Sequence, residues 1–350
     1  MRYYDIQIGG GFVGGDQLPG GQAPASPGTT LPTFPGTLAP SLTTSWTSFP
    51  NGVNDPGALL VEFDFFNANS SNYQGNSTVT IYGVETSDLQ QASQYAGLSI
   101  SIKAGMQSGL PLANAQQAGT IMQGQILQGF GNRQGTERKL DLVFNASIYT
   151  FGAPGNFVIN WPKGGSLKEA LTTALNVAFP NYQNSVLISD AYVNSFPTNH
   201  SVHTFDQLAK FVLSITKAIK PPGVTLTYIP SQNLILAYDG TVTKQQQPKQ
   251  LVYTDFIGQP TWIDAGIVQF IMVMRADIAV HDTVVMPPEL SNAPGGVGIA
   301  PGPGTQLDRS ISFTGPFNVI SIRHIGNSRD PNGAAWATVF EATPATAATQ

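Results

Sequence analysis

Few side chains in this sequence stand at spacings that could carry chemistry. His200 and His203 are three residues apart and could share a metal ion, but they precede a helix-capping threonine in what reads as a loop, with no third ligand near in sequence. His281 is followed by Asp282, which could orient an imidazole. No serine or threonine stands in a nucleophile elbow, so a satisfied turn histidine is the better reading. His324 falls mid-strand among apolar neighbours and reads as a packed or hydrogen-bonded side chain. Glu62 and Asp64 in LLVEFDFF are two apart and so share one strand face. Paired carboxylates can hydrolyse glycosides, but acids on the outer face of an alternating strand more often mark a solvated or lumen-facing surface. Gly9-x-Gly11-x-x-Gly14 has the form of a dinucleotide fingerprint. The helix that this fingerprint requires cannot open where Gly15, Pro19 and Gly20 follow. With no cysteine, thiol catalysis, disulfides and zinc ribbons are excluded. Trp46, Trp161, Trp262 and Trp336 are spread one to a region and suit core or interface anchoring rather than a sugar-stacking platform. The expectation is a protein without catalytic residues, metal or cofactor.

The elements that would position these residues are mostly strands. Residues 1–10 alternate as a strand, and the stretch to about residue 40 is dominated by Gly, Pro, Ser and Thr, the composition of a long arm. From Ala58, period-2 runs follow one another: ALLVEFDFF, STVTIYGV, LSISIKAGM, TIMQGQILQGF and RKLDLVFNASIY. In LSISIK, Leu98, Ile100 and Ile102 face one way, and Ser99, Ser101 and Lys103 the other. The period changes to 3.6 after Ser166, where Leu167, Ala170, Leu171, Ala174, Leu175 and Ala178 form a stripe behind a Ser166/Glu169 capping box. A second helix opens at Thr204 with Gln207 as its capping partner, and buries Phe205, Leu208, Val212, Ile215 and Ile219 before Pro221. VLISDAYV between the helices reads as a strand and VTLTYIPSQNLILAYDG as a hairpin. β-Character then returns in LVYTDFI, IVQFIMVMR, TVVMPP, RSISFT, FNVISIRHIG and AAWATVFEA. The fold class is mainly β, with two related barrel-type domains at 56–159 and 249–350 flanking a two-helix α/β insert at 160–248, and an N-terminal strand and arm at 1–55.

Length and charge agree with several cores and a quiet surface. The chain has 350 residues, of which only 11% are charged, at a formal net charge of −5. That leaves no basic footprint for gripping a phosphate backbone, although a mildly acidic wall could let DNA slide past. No run is long and apolar enough for a signal peptide or membrane span, and the sequence-based expectation is a soluble protein assembled in the cytoplasm.

The two β-rich segments can be laid side by side. STVTIYGV, SISIKAGM, TIMQGQILQGFGN and RKLDLVFNA match, in order, GIVQFIMVM, DTVVMPP, FNVISIRHIGN and AAWATVFEA. Gly131-Asn132 then falls on Gly326-Asn327, and Val143-Phe144-Asn145-Ala146 on Val339-Phe340-Glu341-Ala342. Two similar barrels in one chain would let three chains build a ring of six, a pseudo-sixfold surface on a threefold oligomer.

This pattern resembles the central baseplate hub proteins of contractile-tailed bacteriophages and the hub modules of phage-like secretion machines. The resemblance rests on VTIYGVETSDL, the helix-prone QQASQYAG, LSISIKAGM and TIMQGQILQGFGNRQGTERKLDLVF in the first segment. In the second it rests on IGQPTWIDAGIVQFIMVMRADIAVHDTVVMPP and FNVISIRHIGNSRDPNGAAWATVFEA, with Ile322-Arg323-His324-Ile325-Gly326 before Trp336. It covers residues 55–160 and 250–342; the arm at 9–50 departs from it. What it implies is a homotrimer in the virion tail that joins a sixfold tail tube to a threefold spike, contacts other baseplate proteins, and passes double-stranded DNA through a central channel without binding it. Candidate interface or lumen residues are Glu62, Asp64, Gln123, Gln125, Gln128, Arg323 and Trp336. The alternatives are a carbohydrate-binding or carbohydrate-degrading tail protein, and a homo-oligomeric tail-tube or decoration protein.

Overall fold

Alternating burial defines the first β-rich segment. Strand β1 (Arg2–Gly9) buries Tyr4, Ile6 and Ile8, and β2 (Thr44–Thr47) buries Trp46. Strand β3 (Leu60–Ala68) buries Val61, Phe63 and Phe65, and β4 (Ser77–Tyr82) buries Val79 and Ile81. Strands β5 (Ser99–Met106), β6 (Gly119–Gln134) and β7 (Glu137–Asn145) add Ile100, Ile102, Met122, Ile126, Leu140, Leu142 and Phe144 to the same core. Neighbours pair antiparallel in the order β3-β4-β7-β6-β5-β1-β2. The sheet curls far enough for the Tyr4 hydroxyl on β1 to donate to the Leu59 carbonyl just ahead of β3, at 2.6 Å. Helix α1 (Thr86–Gln91), with the 3-10 turn that continues it to Tyr95, lies on β6. Glycine permits this close approach: a Cβ at Gly129 would stand 2.3 Å from the Ala92 carbonyl oxygen, and one at Gly131 2.6 Å from that of Leu89.

These relationships come from a computed structural model that describes residues 2–9, 44–68, 77–106, 117–145, 157–180, 182–240, 247–264, 266–291, 298–299, 313 and 315–345. The Gly/Pro-rich arm beyond Gly9, with the rest of the glycine fingerprint, and nearly all of the expected strand RSISFT lie outside them.

The insert has its own core. Strand β8 (Phe157–Trp161) leads to α2 (Leu167–Ala178), where the Ser166 hydroxyl accepts from the Lys168 amide at 3.2 Å, and Leu167, Ala170, Leu171, Ala174 and Leu175 are buried as the stripe requires. Strand β9 is Gln183–Leu187, so the expected strand VLISDAYV is displaced toward the N-terminus; Ser189 and Asp190 instead turn the chain, with the Asp239 carboxylate accepting from the Ser189 amide. Strand β10 (Thr198–Val202), expected as loop, pairs antiparallel with β8. It escapes a period-2 reading because a two-stranded ribbon leaves most of TNHSV wet. Helix α3 (Phe205–Ile219) begins where the Thr204 hydroxyl accepts from the Gln207 amide at 3.2 Å, and its expected core residue Ile219 is 46% exposed at the last turn. Strands β11 (Thr225–Ile229) and β12 (Leu234–Tyr238) form the expected hairpin, and β12 pairs parallel with β9. Ile229, Leu234 and Leu236 pack on Ala279 of the second segment.

The second segment contains β13 (Lys249–Gln250), β14 (Thr261–Asp264), β15 (Ile267–Val273), β16 (Thr283–Val285), β17 (Gly298–Ile299), β18 (Pro316–Asn327) and β19 (Trp336–Pro344). LVYTDFI, expected as a strand, is a 3-10 turn over Tyr253–Asp255. Its apolar residues divide between a buried Leu251 and exposed Val252 and Tyr253. Phe270, Met272, Val284, Phe317, Val319, Phe340 and Ala342 belong to a second core.

Both segments repeat one arrangement. In the first, β3-β4-β7-β6-β5 are consecutive neighbours; in the second, β14-β15-β19-β18-β16 are, and all eight pairings are antiparallel. Each long strand carries a bulge against its hairpin partner, with Leu127 the extra residue in β6 and Ile320 in β18. The residue after each bulge starts an equivalent row across its sheet: Gln128, Val143, Thr78 and Asp64 in one, and Ser321, Glu341, Gln269 and Thr261 in the other. The segments are also joined to each other, because β18 pairs antiparallel with β3 over Ser321–Asn327, which makes one continuous sheet.

Candidate functional site: the polar face of the continuous sheet

The joint between β18 and β3 brings distant residues together. Gly326 lies opposite Phe63, and a Cβ there would stand 2.2 Å from the Phe63 ring, so glycine makes room for that ring. Phe63 is held by Phe65 at 4.6 Å on one side and Trp336 at 5.4 Å on the other. The Trp336 indole N–H donates to the Gly105 carbonyl at 2.8 Å, and Trp336 is 2% exposed. Trp336 therefore completes the first segment's core from the second segment, and is not a surface or lumen residue of the chain. A buried polar cluster ties the segments again: the Arg275 guanidinium donates to Asp277 at 2.8 and 2.7 Å and reaches Asp255 at 3.4 Å, and Gln117, just ahead of β6, donates to Asp255 at 2.7 Å.

The other six candidates stand on the opposite, outward face. Across the joint, the Arg323 Nε donates to Asp64 Oδ1 at 2.7 Å and Nη2 to Oδ2 at 2.5 Å, which holds the guanidinium pKa above its ordinary value. Glu62 accepts from the Asn327 amide at 2.7 Å and from the Tyr82 hydroxyl at 2.8 Å; that bond, with burial, pushes the phenol up to about 12. Asp141 accepts from Thr80 at 2.7 Å and Asn132 at 3.1 Å, and pairs with Lys139 at 3.3 Å. Ser321 donates to Glu341 at 2.7 Å. A shallow depression on this face is lined by Asp64, Phe66, Gln269, Ser321, Arg323 and Glu341.

The three glutamines share this face because of the Leu127 bulge. Strict alternation would send Gln125 and Gln128 to opposite sides, three residues apart. The extra residue restores the phase, so that Gln123 and Gln125 are half-buried, Gln128 and Phe130 are exposed, and Ile126 and Gly129 point inward. Gln125 donates to the Gly97 carbonyl at 2.9 Å. Asp141, Glu341 and Phe130 were not singled out from sequence. Their signal was present as alternate positions in RKLDLVF, ATVFEA and ILQGF, but which side faces out depends on the bulges.

The cations on this face are matched: Lys103 stands opposite Asp5, Lys139 pairs with Asp141, and Arg323 with Asp64. Glu62 and Glu341 are held by neutral donors, so the face is polar, weakly acidic and internally bonded. The histidines stand elsewhere. His200 stacks on Phe211 at 3.9 Å, and the His203 amide donates to Gln207. Asp282 accepts from Lys249 and the Ala279 amide, both at 2.9 Å. His324 is fully buried with its Nδ1 3.0 Å from the Thr338 hydroxyl, and burial lowers its pKa to about 3. Among the described residues, no group of three metal-ligating side chains is gathered, and no helix is long and apolar enough to cross a membrane.

With this geometry in view, the chain is similar to several phage-tail and secretion-system proteins of known structure. The 43 kDa tail protein of prophage MuSo2 from Shewanella oneidensis matches at 9% identity and a TM-score of 0.41, over 82% of this chain and 98% of that one. The E. coli c3393 protein, described as a component of the type VI secretion system with structural similarity to the T4 bacteriophage tail proteins gp27 and gp5, matches at 8% identity and a TM-score of 0.43, over 83% of this chain and 74% of that one. A chain of the half-lidded Francisella PdpA-VgrG complex matches at 7% identity and a TM-score of 0.45, over 98% of this chain and 58% of that one. No protein-family model and no curated protein sequence matches. The functional reading rests on the chain's own strand pairing.

Proposed function

We propose that this protein is a structural component of a phage-type tail, a trimeric hub that adapts a sixfold tail tube to a threefold spike. The observation that carries this reading is the repeat: five strands in the same order, with the same bulge, occur twice in one chain and are joined edge to edge through β18 and β3. One chain thus presents two similar docking surfaces, and three chains around an axis would present six, as a sixfold partner requires. The insert at β8–β12 occurs once per chain and would mark the threefold side.

In this reading the polar face lines the channel. Glu62, Asp64, Gln123, Gln125, Gln128 and Arg323 would be its wall, with neighbouring carboxylates offsetting each cation. Such a wall offers few free cations from which DNA could release counterions, and so would let a duplex pass without retaining it. The tube protein, the spike and other baseplate proteins are the partners, with assembly in the host bacterial cytoplasm. Mass photometry of the purified chain followed by electron microscopy tests the proposal. A ring of three copies with an open channel lined by these residues supports it, whereas a compact monomer at micromolar concentration overturns it.

A further inference from the structure

The long strand of the second repeat has its second edge divided between two neighbours, and that of the first repeat, among the described residues, does not. In β18, residues Pro316–Asn318 pair with β16, and Ser321–Asn327 pair with β3. In β6, Gly119–Gln125 pair with β5, and Ile126 bonds the backbone of Gly97 and Leu98. Beyond that point, among the described residues, no strand pairs with this edge of β6 over Gln128–Gln134. The repeat identifies what belongs there. The equivalent of β3 is β14, and among the described residues the edge of β14 away from β15 is covered only by β17, through two parallel pairs, Thr261 with Gly298 and Trp262 with Ile299. Within one chain, six strands separate β6 from β14 in the sheet order.

We infer that the free edge of β6 takes the β14 edge of a second copy of this chain, repeating between chains the joint that β18 and β3 make within one. This rests on the trimeric reading above and names the strands that close the ring. The rows that follow the bulges fix the register. Gln128 is equivalent to Ser321 and Thr261 to Asp64. Since Ile325 faces Asp64 and Asn327 faces Glu62 within the chain, Asn132 faces Thr261 of the second copy and Gln134 faces Gln259; beyond Thr261 the match stops, because Ile263 is a bulge residue with no counterpart in β3.

The chemistry of the two joints differs. Inside the chain the outer face is bound by the Arg323–Asp64 ion pair. Between chains the equivalent positions are Phe130 and Thr261, so contact of an aromatic ring with a threonine replaces the ion pair. Phe130 is 43% exposed in the single chain, on a face where Phe66, beside the intrachain joint, is the other exposed aromatic among the described residues. An unpaired antiparallel edge with an exposed aromatic at its centre is suited to strand addition. The short β17 would yield the β14 edge, exchanging two parallel pairs for a longer antiparallel run. The joint runs from β6 of one copy to β14 of the next, so it is heterologous, and a threefold rotation between copies closes it into a ring.

The chain has no cysteine, so an engineered pair reports unambiguously. In full-length protein carrying Asn132→Cys and Thr261→Cys, directly opposed strand positions lie within disulfide reach. Mild oxidation is expected to give covalent dimers and trimers on a denaturing gel, and neither single variant is expected to pass the dimer. Gln134→Cys with Gln259→Cys is a second pair in the same register, should the first disturb folding. Separately, Phe130→Asp, checked for a native circular dichroism spectrum, is expected to lower the native mass from three copies to one. A trimer by native mass that neither cysteine pair cross-links overturns this edge pairing and leaves the hub reading standing. A monomer before any substitution overturns both.

Discussion

Asp64 and Arg323 are 259 residues apart in the chain and form a two-point ion pair across the joint between β3 and β18. Both side chains are half exposed, so the pair aligns the joint more than it stabilises it. Arg323→Gln is expected to cost less than about 1 kcal/mol in urea unfolding, with the difference shrinking further at high salt. A loss of several kcal/mol, insensitive to salt, would contradict this assignment.

The joint's stability lies underneath, where Phe63 covers Gly326. Gly326→Ala places a methyl group inside the Phe63 ring, and Phe65 and Trp336 leave that ring nowhere to move. Overpacking of this kind costs about 1–3 kcal/mol, readable as a lowered melting temperature. Gly333→Ala, where an added Cβ meets nothing within 4 Å, serves as the control and is expected to melt close to the parent.

Trp336→Ala removes a buried ring from the first core together with its bond to Gly105. The expected cost is about 3–5 kcal/mol. Because Trp336 belongs to the second segment by sequence and to the first by packing, both segments are expected to lose protection together in hydrogen exchange. Independent melting of residues 56–159 would contradict the shared core.

His324 sets an acid limit. Its folded pKa is lowered to about 3 by burial, so between the ordinary value of 6.5 and about 3 the unfolded chain holds a proton that the folded chain does not. The stability is fully present above pH 6.5 and falls as the pH drops toward 3. His324→Gln keeps a polar group near Thr338 and cannot titrate. Its unfolding free energy is expected to fall less steeply with acid, by up to one proton in the slope, measured by urea titrations at pH 7, 5.5 and 4.5.

Leu127 decides which way half of β6 faces. Deleting it puts Gln128 and Phe130 toward the core and Gly129 toward the surface. The variant is expected to fail to fold, whereas Leu127→Ala, which keeps the bulge, is expected to retain the native spectrum. Equal behaviour of the two would show that the bulge has no such role.

Local chemistry alone settled much of this molecule. Period 2 in LSISIK and period 3.6 after Ser166 are consequences of backbone geometry and were legible without a partner, as were the Ser166 and Thr204 caps. The order of strands in the repeat was legible for the same reason. Its register was not: matching by residue type put Gly131 on Gly326, whereas the rows across the two sheets put Gly131 on His324, two positions away. The shift is even, so the faces still agree, and similarity of pattern could not detect it. Only the tertiary structure decided that Leu127 and Ile320 bulge, that Trp336 is buried in the other segment's core, and that β18 joins β3. Each of these depends on hydrogen bonds or packing between residues far apart in the chain, and neither residue carries a local sign of its partner.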